Sequence, residues 1–303
     1  MPSLTFVITQ ECANIRIDKC VSEAFTDYSR SYLQKMIKDQ QVLVNGKPVK
    51  SGYQSTVGDI VTMEVPDLVE PEIVAENIPL TILYEDPDVI VVDKPKGMVV
   101  HPDNTHHSGT LVNALMYHCK DLSGINGVMR PGIVHRIDMN TTGSIIACKN
   151  DYAHNHIAAQ LKEHSINRRY IAIVHGVIKE EQGTIHAPIG RHKTNRKKMA
   201  INELHGKDAI THYKVLKRFR DYTYIECRLE TGRTHQIRVH MASIHHPLLG
   251  DDVYCSLKCP YKDLIGQTLH AKVLGFLQPT TGKYIEVIAK TPEYFENLLN
   301  ILS

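Results

Sequence analysis

The sequence predicts a mixed α+β fold with a largely antiparallel sheet. Strand-like runs outnumber amphipathic helical patterns, and short turns join many of them. The 303 residues, 42% of them apolar and 22% charged, are enough for two folded domains with substantial cores. A proline-bearing, acidic segment separates two compact stretches. We therefore divide the chain into a small unit, residues 14–65, a solvated linker, residues 66–79, and a large unit, residues 80–303.

The small unit is predicted to contain two helices followed by two strands. An apolar pattern from Ile15 begins the first helix, and Ser29 is placed to cap a second, Arg30–Lys38. A short strand then ends at Asn45–Gly46, the strongest two-residue signal for a hairpin. Residues 60–65 alternate like a further strand.

The large unit is predicted to combine several strands with three helices. It opens with two apolar runs on either side of a proline-bearing acidic turn, which indicates a pair of connected strands. Alternating runs give the later strands, and one-sided apolar patterns give the helices. The remaining predicted strands are 144–148, 169–175, 210–216, 222–229 and 283–289, and the predicted helices are 151–163, 234–244 and 293–302.

Several classes of protein are disfavoured by composition. No run approaches the roughly 20 apolar residues of a membrane helix, and the first residues do not resemble a secretory signal, so we expect a cytoplasmic protein. Seven cysteines in a chain of this length do not predict a disulfide framework. The Cys255–Cys259 pair and the histidines of the 101–107 loop lack further ligands at coordinating spacing. We predict no bound metal.

The densest group of reactive side chains lies within residues 130–144. His135, Arg136 and Asp138 fall in four consecutive positions between two apolar strands. Proline and glycine on both sides hold the backbone in a bent path. Without further information the segment is equally well explained as a surface loop with a salt bridge.

A second group spans Thr231–His240. On a helix, Thr234 and Arg238 share one face, as do Arg233 and Ile237. The alternative is a basic helix exposed to solvent. The chain has no glycine-rich dinucleotide loop, Walker loop or His-Glu-x-x-His motif, so nothing in it predicts a cofactor.

These segments resemble the motifs of a known family. His135–Asp138 followed by Thr141–Gly143 is similar to the central motif of the RluA-type pseudouridine synthases, and the likeness extends along residues 80–303. Further matching segments are Lys94–Gly97, Arg169–Tyr170, Thr231–Arg238 and Leu269–Ala271. Residues 14–65 resemble an S4 RNA-binding domain. This pairing of domains is most similar to the D-type large-subunit rRNA pseudouridine synthases.

The resemblance implies an isomerase that turns uridine into pseudouridine without a cofactor. Asp138 matches the catalytic carboxylate, and Arg238 matches the arginine that pairs with it. Tyr170 matches the tyrosine that packs against the target base and can relay a proton. Arg136 matches the arginine that fills the gap left by a flipped base. We add His135, Arg233 and Ile237 to the expected substrate contacts.

Basic residues in both units are expected to bind RNA, with a salt-dependent affinity. The expected partner is 23S rRNA or the assembling large ribosomal subunit, although tRNA is also compatible, and we expect a monomer. Taken singly, each basic residue is equally well explained as a solvated surface charge. The predicted contacts are Arg30, Lys35, Lys47, Arg191, Lys193, Arg196, Lys197 and Lys198.

Two other functions are compatible with parts of the sequence. A non-catalytic RNA-binding assembly factor would explain the S4-like unit, but it has no need for Asp138, Tyr170 and Arg238 together. A metal-dependent RNA hydrolase rests only on the 18 histidines. Sequence leaves open whether the carboxylate attacks C1′ of the ribose or C6 of the base.

Overall fold

The chain forms two compact units, Met1–Glu70 and Pro71–Ser303. The computed structural model describes residues 3–25, 30–64, 73–103, 105–120, 122–124, 131–195 and 198–303, with the backbone alone at 3, 30–32, 35 and 64. The predicted cap Ser29 and the predicted RNA contacts Arg196 and Lys197 lie outside the described residues. In the described part of the chain, no helix is long and apolar enough to cross a membrane.

The first unit packs two helices on a four-stranded antiparallel sheet of order β1-β4-β2-β3. Apolar residues at helical spacing, such as Ile17 and Val21 or Leu33 and Ile37, are buried against Val61 of the sheet. The helices are α1, Ile17–Ala24, and α2, Arg30–Lys38; the strands are β1, Ser3–Val7, β2, Val42–Val44, β3, Lys47–Pro48, and β4, Ile60–Glu64.

The hairpin between β2 and β3 has the turn that its sequence predicts. Asn45 and Gly46 both have positive φ, 52° and 74°, as a two-residue hairpin loop of this kind requires. The Asn45 amide also donates to Asp59 and its oxygen accepts from the Ile60 backbone, which ties the turn to β4. Strand β1 was not predicted. It is held by pairing with β4, a contact that local pattern does not reveal.

The second unit is built on a nine-stranded sheet with the order β5-β6-β7-β14-β8-β13-β12-β9, and β15 pairs with β14. Its pairings are antiparallel except for a parallel one between β7 and β14. The strands are β5, Thr81–Glu85, β6, Val89–Lys94, β7, Thr142–Cys148, β8, Asn167–His175, β9, Gln182–His186, β12, Ile210–Arg218, β13, Tyr222–Leu229, β14, Leu269–Leu277, and β15, Tyr284–Ile288. A separate hairpin joins β10, Ile189–Arg191, to β11, Met199–Ile201.

Helices cover both faces of the large sheet. The helices are α3, Leu111–His118, α4, Asp151–Lys162, α5, Gln236–Ser243, and α6, Glu293–Leu302. Alternate residues of a strand face opposite sides, so Ala172 and Val174 of β8 pack in the core that contains α3 and α5. Ile171 and Ile173 pack with α6 on the other side. The mixed, largely antiparallel fold predicted from the sequence is confirmed.

Some predicted elements have different limits. Helix α5 begins at Gln236 rather than at Thr234, because His235 adopts a left-handed backbone with φ of 57°. Arg233 therefore lies outside the helix and does not share a helical face with Ile237. Helix α3 and strands β9, β10, β11 and β14 were not predicted.

The segment expected to be a solvated linker is partly packed. Residues 66–72 fall in a gap of the described chain, but residues 73–79 belong to the second compact unit. Ile73 is buried in the core beside α3, and the Asn113 side chain donates to the Val74 carbonyl. The Glu76 backbone N–H donates to the Asn113 carbonyl. The second unit thus begins before the expected residue 80.

Candidate active site

Asp138 lies on a tight turn that leads into β7. The Thr141 N–H donates to the Asp138 carbonyl, which closes the turn one residue before the strand begins. Gly143 follows with φ of 109°, and a Cβ there would collide with the Ala271 backbone of β14. Glycine is therefore needed for the close parallel approach of β7 and β14. The Asp138 side chain is 23% exposed at the end of this strand pair.

Buried Lys94 holds the same turn from the other side. Its ammonium donates to the carbonyls of Pro95, Met98 and Met139, at 2.7, 2.8 and 3.0 Å. Three acceptors match the three protons of an ammonium group. Burial lowers the pKa of Lys94 to about 7, against the opposing effect of the nearby Asp138 charge. The resemblance includes Lys94 in a matching segment, but the sequence alone does not indicate that its ammonium holds the turn of Asp138.

Arg238 of α5 joins two carboxylates. Its Nη1 donates to Asp138 Oδ2 at 3.0 Å, while Nε and Nη2 donate to both oxygens of Asp251 at 2.7 and 2.9 Å. Asp251 is fully buried and also accepts the backbone N–H groups of Val253 and Tyr254. Burial opposes the charge of Arg238, but the two carboxylates outweigh it and raise its pKa above the usual value. The expected ion pair with Asp138 is present, and Asp251 fixes its geometry.

Tyr170 of β8 lies on the face of the sheet that packs against α5, the helix that carries Arg238. It pairs in register with Cys227 and Ala271 and is 7% exposed. Burial raises the pKa of its hydroxyl; Arg168 opposes that shift, and the charge of Asp138 adds to it. These effects place Arg168 and Asp138 within electrostatic range of Tyr170.

Arg168, and not Arg169, is the basic residue on the face of Tyr170. It is 5% exposed and donates from Nη2 to the Glu230 carbonyl, and its buried Nε has no hydrogen-bond partner among the described residues. A Cβ at residue 232 would lie 2.7 Å from Nη1, so Gly232 leaves room for the guanidinium. Arg169 points to the other face, where it pairs with Glu286. Strand alternation is the sequence signal that would have distinguished the two arginines.

Arg136 is exposed and is held by a histidine. Its Nη1 donates to His101 Nε2 at 3.0 Å, while His101 Nδ1 contacts the Pro102 carbonyl at 3.0 Å. Because a carbonyl only accepts, Nδ1 carries the proton and Nε2 is the acceptor. Arg136 precedes Asp138 by two residues, and its charge is among the effects that lower the pKa of His235. His101 had been considered only as part of a possible metal loop.

His135 faces the sheet. Its Nε2 accepts the Ile146 N–H at 3.1 Å, and burial, with the charge of Arg168, lowers its pKa to about 3. The ring is therefore neutral and fixes the turn to β7. This arrangement favours a structural role over the expected substrate contact.

Arg233 and Ile237 occupy different settings. The Arg233 guanidinium donates from Nε to the Asp208 carbonyl, and its backbone N–H donates to the Gln236 side chain. Ile237 is 3% exposed in the core that also contains Tyr170. The structure brings neither into a described contact with Asp138.

The predicted RNA contacts divide between the two units. Lys47 is exposed in β3 of the first unit, and Arg191 and Lys193 are exposed at the β10–β11 hairpin. Lys198 instead donates to the Val253 carbonyl, so it is tied to the protein. For Arg30 and Lys35 only the helical backbone is described.

Three potential metal ligands lie together elsewhere in the second unit. One ligand atom each from Glu85, His118 and Cys119 falls within 4.8 Å of the others. The Glu85 carboxylate already binds Lys149 and His118, each at 2.9 Å. The Lys149 ammonium would repel a divalent cation, so this group does not suit a metal ion.

Comparison with known proteins identifies the fold and the class. The RNA pseudouridylate synthase sequence model matches residues 88–243, and the S4 domain model matches residues 15–61. The uncharacterized RNA pseudouridine synthase YlyB of Bacillus subtilis is 51% identical over 302 residues, covering 100% of this chain and 99% of that protein. The ribosomal large subunit pseudouridine synthase D of Zymomonas mobilis is 43% identical over 312 residues, covering 100% and 98%. The solved structure of human RNA Pseudouridylate Synthase Domain Containing 1 aligns with a TM-score of 0.59 and 24% identity, covering 75% of this chain and 96% of that one.

The second unit thus has the fold of an RNA-modifying isomerase. The chain belongs to the RNA pseudouridine synthase family and carries an S4 domain in its first unit. The predicted family, fold and enzyme class are confirmed. The roles of individual side chains stay predictions.

Proposed function

We propose that this enzyme converts specific uridines of large-subunit rRNA into pseudouridine, with Asp138 as the catalytic carboxylate. The proposal rests on one observation, which is that the two carboxylate oxygens of Asp138 have different surroundings. Arg238 binds Oδ2, whereas Oδ1 accepts no hydrogen bond from the described residues. Relatives named for the large ribosomal subunit support this choice of substrate.

The reaction needs one carboxylate oxygen and no external group. The N1–C1′ bond of uridine breaks, the base turns, and a C5–C1′ bond forms. C5 loses a proton and N1 gains one, so atoms and electrons balance without a cofactor. Oδ1 of Asp138 can attack either C1′ or C6. On both routes Arg238 holds the other oxygen and favours the ionised carboxylate.

Tyr170 supplies the second function in this proposal. Its ring gives the uracil a stacking surface, and its hydroxyl receives the proton that leaves C5. Burial raises the pKa of this hydroxyl, so at neutral pH it is protonated and relays the proton by passing on its own, while Arg168, buried on the same strand face, opposes part of the burial effect.

Arg136 is proposed to take the place of the flipped nucleotide. A uridine must leave its stack before it can reach Asp138, at a cost of a few kcal/mol. The planar guanidinium of Arg136 can fill the resulting gap. Its hydrogen bond to His101 holds it ready on the exposed rim of the site.

RNA is proposed to be held by both units, with the protein acting as a monomer. Lys47 in the S4 domain and Lys193 in the β10–β11 hairpin are exposed and available to phosphate. Contacts of this kind give affinity that falls with salt and carry little sequence information. We therefore expect the S4 domain to raise affinity without changing the chemical step.

The proposal is tested by mapping pseudouridine in cells. Ribosomal RNA from cells without the gene is treated with carbodiimide and read by primer extension, after rescue with wild type or Asp138→Asn. Specific stops should vanish in the deletion and return only with wild type. If rRNA stops do not change, tRNA is mapped in the same way. If neither RNA changes, the protein is better described as an RNA-binding assembly factor.

A further inference from the structure

We propose that His235 is a positioning residue for Asp138, and that Tyr254 fixes its Nε2–H tautomer. This inference rests on the proposed function, because it concerns the free oxygen of the same carboxylate. His235 Nε2 lies 3.9 Å from Asp138 Oδ1, the oxygen that Arg238 does not bind. Its ring is 21% exposed and borders the site.

The tautomer follows from a chain of hydrogen bonds. The Met199 N–H donates to Tyr254 Oη at 2.9 Å, and Tyr254 Oη contacts His235 Nδ1 at 2.8 Å. The phenol oxygen accepts from the Met199 N–H, and among the described residues the acceptor within reach of its own proton is His235 Nδ1. Nδ1 of His235 is therefore an acceptor. The proton of the neutral ring lies on Nε2, which faces Asp138.

The surroundings keep this ring neutral. Burial lowers the pKa of His235, and the charges of Arg238 and Arg136 act in the same direction. Asp138 and Asp251 oppose the shift. The ring also packs edge to face on Tyr254, at 5.6 Å between centroids. A neutral donor can approach Oδ1 without forming a second ion pair that would weaken the carboxylate as a nucleophile.

A small movement of either side chain would form a hydrogen bond between His235 and Asp138. Shortening the 3.9 Å separation by about 1 Å gives a normal hydrogen bond from Nε2–H to Oδ1. A carboxylate oxygen accepts more than one hydrogen bond, so one lone pair stays available for attack. Asp138 would then be held on both oxygens, by Arg238 and His235. Because Met199 lies in β11, the hairpin that carries Lys193 is joined to His235 through Tyr254.

The backbone of His235 supplies well-matched variants. Its φ of 57° lies in the left-handed region, where asparagine is tolerated better than other branched or long residues. His235→Asn therefore keeps the backbone and a group near Nδ1 but removes the Nε2 donor. His235→Gln places an amide near the Nε2 position. His245→Asn is the control, because His245 at the other end of α5 is exposed and has φ of 64°.

The test combines single-turnover kinetics on target RNA with ¹⁵N NMR of the full-length protein. We expect His235→Asn to lower the rate at least about 10-fold at unchanged RNA affinity, which is less than the roughly 100–1,000-fold for a donor that touches the reacting atoms, because His235 acts through Asp138. His235→Gln should recover at least half of that loss on a logarithmic scale, and His245→Asn should match wild type. The histidine nitrogen shifts should show Nε2 protonation in wild type and a mixture in Tyr254→Phe.

Three results would contradict the proposed role of His235, and a parallel measurement on Asp138 separates that role from the proposed function. A wild-type rate in His235→Asn, a loss that His235→Gln does not recover, or an Nδ1-protonated ring would overturn the inference. Asp138→Asn is measured in parallel. If Asp138→Asn is active, the proposed function itself fails; if it is inactive and His235→Asn is normal, only the role of His235 is wrong.

Discussion

Replacing Arg238 by lysine separates charge from geometry at the candidate site. The arginine makes three hydrogen bonds to two carboxylates, at 2.7, 2.9 and 3.0 Å. Lysine keeps the positive charge but offers a single nitrogen. It can satisfy Asp251 or Asp138, and the fixed bridge between them is lost.

The magnitude follows from the bonds that disappear. Loss of two hydrogen bonds to charged, buried partners costs about 3–6 kcal/mol in the free energy of unfolding. The Val253 and Tyr254 N–H groups still support Asp251, so we expect about 4 kcal/mol, or roughly 8 °C in Tm. A displacement of Asp138 by about 1 Å should lower kcat about 100-fold.

The assay is single-turnover conversion of a target RNA, with RNA affinity and thermal unfolding measured on the same samples. Arg218→Lys is the matched control, because Arg218 also bonds several acceptors but lies at the end of β12. It should lose stability without loss of rate. If Arg238→Lys turns over within twofold of wild type, the bridge does not position Asp138.

Three further predictions concern other parts of the second unit. The folded-state pKa of His135, about 3, lies below its usual 6.5, so its stabilisation is complete above pH 6.5 and is lost as pH falls towards 3. His135→Gln should flatten this acid dependence of unfolding by about 1.4 kcal/mol per pH unit. Lys94→Met should lower stability by about 3 kcal/mol, measured by denaturant unfolding, because three buried carbonyls lose their donor. Lys193→Ala should reduce the slope of log affinity against log salt by about 0.7–0.9 and leave kcat unchanged.

Each of these has a contrary result. An unchanged acid profile in His135→Gln would show that the ring is not held neutral. Full stability in Lys94→Met would mean that water replaces the ammonium. A salt slope equal to that of wild type would remove Lys193 from the RNA interface.

Sequence predicted the features that depend on local chemistry. The Asn45–Gly46 turn requires positive φ at both positions, and few residue pairs accept this, so the pattern is specific. Helix α4 was predicted within one residue from its apolar face, and the structure adds that Asn150 caps its first turn. The resemblance supplied the Arg238–Asp138 pair, which no spacing rule could have indicated across 100 positions.

Features that depend on strand pairing or on tertiary contacts were not predicted. Strand β1 exists because β4 lies beside it, and its five residues carry little signal alone. The buried Arg168 was not predicted, because the resemblance matched the adjacent pair Arg169–Tyr170, and adjacent residues of a strand face opposite sides. His235 was expected within a helix, but its backbone is left-handed, and it follows a turn whose Thr231 hydroxyl and Arg233 N–H donate to the Gln236 side chain.

The most direct test of the account is the activity of Asp138→Asn on RNA that carries tritium at C5 of uridine, since isomerisation releases that tritium. The amide keeps the shape of the side chain but is a poor nucleophile. We predict that release falls at least about a thousandfold at wild-type RNA affinity, while Asp263→Asn, at an exposed position, is unaffected. Release by Asp138→Asn within tenfold of wild type would contradict the assignment of Asp138 as the catalytic carboxylate.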